Sequence, residues 1–191
     1  MQNHGASQVS MIPLDASQRI IKWSSEVLYL NTIARNASKR LVKRGSVYKC
    51  KLGCGVGSEE GKERPCVVLQ YDPANRRSPN TIVAPITHSS SALPVVVKID
   101  DKLDSKGNVL LDGNVLLGNV VTVSKARLGD YICDLTSDEM LKVDTAISLA
   151  MGIKEHYDKL QNKYNDKLKY IEKLKEKVDE LNGKVNELMK K

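Results

Sequence analysis

The run Asn80-Thr81-Ile82-Val83-Ala84-Pro85-Ile86-Thr87 decides how the middle of this 191-residue chain is read. It is rich in β-branched residues and ends on a hydroxyl. A second such run precedes it: Gly57-Ser58-Glu59-Glu60-Gly61-Lys62-Glu63-Arg64-Pro65, leading into Cys66-Val67-Val68-Leu69. Both predict short strands. Each sets a polar residue, Arg64 or Thr87, at a strand end, where a loop holds it out of the core and the strand fixes its position. Together they describe one polar site that needs neither a metal nor a cofactor.

Around these two lie further β-type runs at 46–52, 95–99, 109–111, 114–117 and 120–124, with Asp112-Gly113 reading as a hairpin turn. This spacing predicts a small, strongly curved antiparallel sheet or barrel. No helix separates the strands, which argues against a parallel α/β sheet. Residues 16–42 predict a helix, because Ile20, Trp23, Val27, Leu30, Ala34, Ala37 and Leu41 recur at steps of three and four, with Asp15 placed to cap it. A second helix is expected from Thr136, whose hydroxyl forms a capping box with Glu139.

From residue 153 the repeat becomes seven. Tyr157, Tyr164, Ile171, Val178 and Val185 take the first apolar position; Ile153, Leu160, Leu174, Leu181 and Leu188 take the fourth, where Lys167 interrupts. This predicts a coiled coil, and β-branched residues facing leucines favour two strands. The flanks carry Lys163, Lys177 and Lys184 on one side and Lys175 on the other, so a parallel homodimer is expected to face lysine with lysine. An antiparallel partner, either the Ile20–Leu41 stripe or an acidic second protein, stays open beside self-pairing. The expected organisation is an N-terminal helical extension over 1–43, a central domain over 44–152 and a coiled-coil helix over 153–191.

The net charge of +7 is unevenly spread: residues 44–152 hold 13 basic and 13 acidic side chains, 1–43 hold 6 and 2, and 153–191 hold 11 and 8. If the central domain binds phosphate it must do so with a few placed arginines, not a general positive field. Cys50, Cys54, Cys66 and Cys133 lack the paired spacing and nearby histidines of a zinc site and read as reduced thiols. Neither a signal peptide nor an apolar run of membrane-spanning length is present, so a cytoplasmic protein with no membrane partner is expected.

Residues 44–152 resemble the MazF/PemK family of toxin ribonucleases. The resemblance rests on Arg44-Gly45-Ser46-Val47-Tyr48, on the run from Gly57 through Arg64-Pro65, on Ala84-Pro85-Ile86-Thr87 and on Lys125-Ala126-Arg127-Leu128-Gly129, in that order. It implies an α+β fold built on a small SH3-like antiparallel β-barrel, assembled as a homodimer. It also implies metal-independent cleavage of single-stranded RNA and neutralisation by an antitoxin protein. The family's catalytic arginine falls on Arg64, its catalytic threonine on Thr87 and a supporting glutamate on Glu59.

These residue types suit RNA self-cleavage, in which the ribose 2′-hydroxyl attacks the adjacent phosphate. Arg64 supplies a planar fork of donors to the phosphate oxygens, Thr87 donates to or orients it, and Glu59 accepts a proton. His88 is the alternative base, but adjacent strand residues point to opposite faces, so Thr87 and His88 cannot both address one phosphate. His88 is therefore expected to contact RNA, as are Arg76 and Arg77 in the 72–79 turn, and Ser58, Lys62 and Asn119. Where the family commonly carries an acidic residue, glutamine and arginine, this chain has Gly118, Asn119 and Val121. Aromatics are sparse, at 4% of residues, so stacking does little to replace them. The competing reading is a catalytically silent SH3-like module that binds RNA or protein and assembles through the coil.

Overall fold

The computed structural model describes residues 13–89 and 91–189, so the first twelve residues of the expected N-terminal extension lie outside it. The chain divides into two compact units, Met1–Ala146 and Ile147–Lys191. Among the described residues no helix is long and apolar enough to cross a membrane.

The first unit opens with α1 (Leu14–Ala37). It is capped by Pro13 and not by Asp15, which lies inside the first turn and pairs with Arg19 at 2.9 Å. Proline suits this position because the first helical turn leaves its amides without partners in any case. The helix stops five residues short of the expected end. There Arg40 turns to donate to the carbonyls of Leu128 and Gly129, and Val42 enters the sheet core.

The strands are β1 (Ser46–Gly53), β2 (Lys62–Val68), β3 (Asn80–Thr87), β4 (Val96–Lys98), β5 (Lys102–Leu103), β6 (Val109–Leu111), β7 (Asn114–Leu116), β8 (Val121–Ser124) and β9 (Leu128–Asp134). All pairings are antiparallel, in the order β4-β7-β3-β2-β1-β9, with β8 also on β3 and β5-β6 forming a separate ribbon. The expected closed barrel is not formed. β4 and β9 end the path as two free edges, because the 3₁₀ turn Lys125–Arg127 carries the chain from β8 across to β9 without pairing them. The sheet still bends, with register breaks along β1 against both neighbours.

Tyr48, Cys50, Cys66, Val68, Val83, Val123 and Leu128 form one buried cluster. The alternate residues Val47, Val67 and Ala84 are equally buried, so the central strands are covered on both faces and read as unbroken apolar runs.

Asp112-Gly113 does not close a hairpin. β6 pairs with β5 and β7 pairs with β3 and β4, so the dipeptide instead hands the chain from the ribbon to the main sheet. Gly113, at φ +113°, lies so close to the Thr87 carbonyl that a Cβ there would approach it to 2.5 Å. Two short elements besides β9 escaped the sequence reading, β5 and a helix. The 72–79 turn contains a helix, α2 (Asp72–Arg77), anchored by the buried Asn75, which accepts from Thr81 Oγ1 at 2.8 Å. α3 (Ser137–Ala150) carries the expected capping box: Glu139 N donates to Thr136 Oγ1 at 3.2 Å and Thr136 N to Glu139 Oε2 at 2.7 Å. The second unit is dominated by α4 (Lys154–Leu188), 35 residues with no buried side chain.

Candidate functional site

A break in one strand pairing opens the site. Ile86 of β3 pairs with Val115 of β7, whereas Val83 pairs with Val121 of β8, so three steps along β3 are matched by six along its neighbour. The surplus is the 3₁₀ turn Leu117–Asn119, and it lies opposite Pro85, which has no amide to donate. The gap becomes the floor of a cleft of about 610 Å³. Pro85, Gly118, Asn119 and Val121 line one part of it; Leu52 and the β1–β2 loop, with Ser58, Glu59 and Glu60, line another.

Arg64 stands beside this cleft on β2. The β2–β3 ladder runs from Val68–Val83 to Cys66–Pro85 and ends there; Arg64 lies two residues beyond it on β2, where it pairs with Cys50 of β1, and Thr87 two residues beyond it on β3, where it pairs with Asn114 of β7. Arg64 Nε approaches Glu60 Oε2 to 2.5 Å as an ion pair but without hydrogen-bond alignment, leaving both buried atoms without a hydrogen-bond partner. Thr87 is 7% exposed, and its Oγ1 accepts from Ser89 N at 3.4 Å. Behind Arg64, the Cys66 thiol is pushed up by its hydrogen bond with Cys50 and by burial, which makes it inert as a nucleophile.

The other expected residues divide into two groups. Ser58, Glu59 and Asn119 line the cleft. The Glu59 carboxylate accepts from Val56 N at 2.9 Å and so also closes its own loop. His88 points away from Thr87: it is exposed, and its Nε2 lies 2.8 Å from Asp112 Oδ1. Lys62, at φ +63°, faces a groove shared with Trp23 and Glu26 of α1. Arg76 and Arg77 lie in the last turn of α2, beside the start of β3, and Thr87 is at its other end, roughly 20 Å away along a strand of this length. One phosphate cannot touch both ends.

Two cleft residues were not singled out from the sequence. Glu60 is the carboxylate on Arg64, four residues earlier, and no local pattern ranks it above Glu59. Arg127 is the only cationic side chain among the described residues that line the cleft. Its sequence signal was only its place in the Lys125-Ala126-Arg127 run.

Residues 43–151 match the family model described as PemK-like, MazF-like toxin of type II toxin-antitoxin system. Endoribonuclease EndoA of Bacillus subtilis (strain 168) is 41% identical over 115 residues, covering 59% of this chain and 97% of that protein. Endoribonuclease MazF of Staphylococcus epidermidis is 35% identical over 115 residues, covering 59% and 93%. Among solved structures, an endoribonuclease in complex with its cognate antitoxin from a mycobacterial species is similar with a TM-score of 0.50 and 28% identity, over 59% of this chain and 96% of that one. MazF from Deinococcus radiodurans shares the fold, with a TM-score of 0.52 and 18% identity over 59% of this chain and 98% of that one. Both α1 and α4 lie outside the matched segment.

Proposed function

Because this chain belongs to the PemK-like, MazF-like toxin family of type II toxin-antitoxin systems, we propose that it is the toxin of such a system, an endoribonuclease that cuts single-stranded RNA at short sequences without a metal. The observation that carries this reading is an open cleft bearing Glu59 and Glu60, with Arg64 held on Glu60 and Thr87 at the end of the strand next to Arg64's own.

The ribose 2′-oxygen attacks the adjacent phosphorus, the bond from phosphorus to the 5′-oxygen breaks, and the products are a 2′,3′-cyclic phosphate and a 5′-hydroxyl. Arg64 turns from Glu60 to the non-bridging oxygens, where negative charge grows, and Thr87 donates to the same phosphate. Glu59, whose neighbour Glu60 is occupied with the resting arginine, takes the proton of the 2′-hydroxyl, and solvent protonates the leaving 5′-oxygen. The protein acts in the cytoplasm, the family domain forms a homodimer, and an antitoxin covers the RNA-binding surface. The test is cleavage of mixed single-stranded RNA in EDTA with mapping of the new ends. Arg64→Ala and Thr87→Ala are each expected to slow cutting by at least about 100-fold, and undiminished cutting in both sinks the site assignment.

A second reading, a silent binding module, is favoured by Gly118 and Val121, which put small or apolar groups on the cleft wall. It predicts RNA or protein binding with no new RNA ends.

A further inference from the structure

The central domain has no net charge to attract a polyanion, so the cations inside its cleft matter individually. Arg127 is well placed. Its Nη1 donates to the carbonyls of Leu52 at 3.2 Å and Lys51 at 3.5 Å, and its guanidinium lies over the Trp23 ring, 5.1 Å from the centroid. That is within the range of a cation–π contact, and stacking fixes the plane of a guanidinium, leaving its other donors free to meet a planar array of oxygens.

Trp23 comes from α1, outside the segment that matches the family. Several contacts hold the helix in this place. Glu26 pairs with Lys51 and holds its ammonium above the ordinary lysine range, and Leu30 is buried. Cys54 Sγ donates to the Arg19 carbonyl at 3.5 Å. Gly53 makes room for the indole, since a Cβ at that position would come within 2.5 Å of the ring. The helix is thus tied to the hinge of the loop that carries Ser58, Glu59 and Glu60.

We propose that Arg127 is a phosphate contact of the RNA-binding cleft and that Trp23 is the positioning residue that aims it, which makes the N-terminal helix part of the substrate-binding device. This rests on the RNA reading above and assigns a cation to the wall of the cleft beside which Arg64 stands.

The probe is the full chain with a mixed-sequence single strand of 2′-O-methyl RNA, which lacks the attacking hydroxyl, its affinity measured over a series of salt concentrations. Arg127→Gln, which keeps an amide for the two carbonyls, is expected to weaken binding roughly tenfold at low salt. It should also reduce the slope of log K against log salt by about 0.7, one phosphate contact on a single strand. Trp23→Ala is expected to weaken binding while leaving the slope unchanged, Trp23→Phe to restore it, and Trp23→Ala to add nothing in the Arg127→Gln background. Wild-type binding with an unchanged slope in Arg127→Gln overturns the proposal alone. Absence of salt-dependent RNA binding by the wild type overturns the RNA reading with it. Equal loss of thermal stability in Trp23→Ala and Trp23→Phe, with binding intact in both, assigns the ring a structural role and also overturns it.

Discussion

Two adjacent glutamates occupy different positions in the cleft, and the difference is chemical. Glu60 sits against Arg64 and is 18% exposed, whereas Glu59 is exposed and engaged only with the amide of Val56. Removing the charge of Glu60 frees the arginine for an incoming phosphate. Removing that of Glu59 takes away the proposed proton acceptor. Glu59→Gln is therefore expected to lower kcat by about 100-fold or more with little change in KM. Glu60→Gln is expected to tighten binding of 2′-O-methyl RNA and to spare most of kcat. Steady-state kinetics and a binding titration decide it, and a reversal of the two patterns would exchange the roles. Arg64 and Thr87 were singled out because the resemblance set the family's catalytic pair on them; the local signal, a polar residue at a strand end, holds for Thr87, which ends β3, but not for Arg64, since β2 begins two residues earlier at Lys62. Glu60 and Arg127 were not, because an ion pair across a loop and a ring supplied by a distant helix exist only once the sheet has formed.

Among the elements, α3 shows most clearly what a carboxylate at a helix start contributes. Glu139 is 1% exposed, closes the capping box, accepts from Asp100 N at 2.9 Å and meets Lys102 Nζ at 2.7 and 2.8 Å. Burial alone would raise its pKa, but the Lys102 ammonium and the amides of Thr136 and Asp100 outweigh it and bring the carboxyl down to about 2 from 4.5. The folded chain therefore holds this proton less tightly than the unfolded chain. The resulting stability is full above the ordinary glutamate range and is lost as pH falls through that range toward about 2. It amounts to on the order of 3 kcal/mol. Urea unfolding across that window should show the decline in the wild type and a flatter profile in Glu139→Gln. That variant should also be less stable at neutral pH by about 3 kcal/mol, because Lys102 is left buried and unpaired. An equally steep decline in the variant would remove Glu139 as its source. The box was legible because its partners lie three residues apart, but Lys102, 37 residues away, was not. β9 was missed for the opposite reason: Gly129 and Asp130 dilute its β signal, and as an edge strand paired with β1 alone it does not need a strong one. α2 looked like a turn because Pro73 and two arginines dominate it, and only the buried Asn75 shows why it is helical.

At the scale of the whole molecule, α4 presents an exposed apolar face. Its apolar residues form a stripe interrupted at Lys167, with Leu168 on the flank beside that position, and Leu160, Ile171, Leu174 and Leu181 are 67%, 46%, 44% and 51% exposed. A stripe about 50 Å long and about 10 Å wide covers on the order of 500 Å², the size of the largest apolar patch on a typical soluble monomer, which is often a binding surface. Among the partners the sequence left open, we propose a second copy of this chain in a parallel two-stranded coil. Ile171, Val178 and Val185 alternate with Leu174, Leu181 and Leu188, the arrangement that favours two parallel strands. Contrary to the expectation from the sequence, the flanking lysines do not meet one another in a parallel pair. Each faces the residue five positions on in the other helix, so Lys163 meets Leu168, Lys177 meets Asn182 and Lys184 meets Met189 of the second copy, and their stems can cover apolar surface. In an antiparallel pair with Ile171 and Leu174 in one layer, Lys163 would face Lys184 instead. Lys167 then forms one polar layer that fixes register at some cost in stability. With the exposed Cys54 replaced by serine, Leu188→Cys is expected to give a covalent dimer on oxidation, and Glu176→Cys, on the opposite side of the helix, is not. Leu174→Lys together with Leu181→Lys should abolish the cross-link at residue 188 even if the family domain still dimerises. Cross-linking only when Tyr157→Cys and Leu188→Cys chains are mixed would make the coil antiparallel. Equal cross-linking at 176 and 188 would mean that the helices meet only through the tether of their domains, and self-pairing along the stripe would fall.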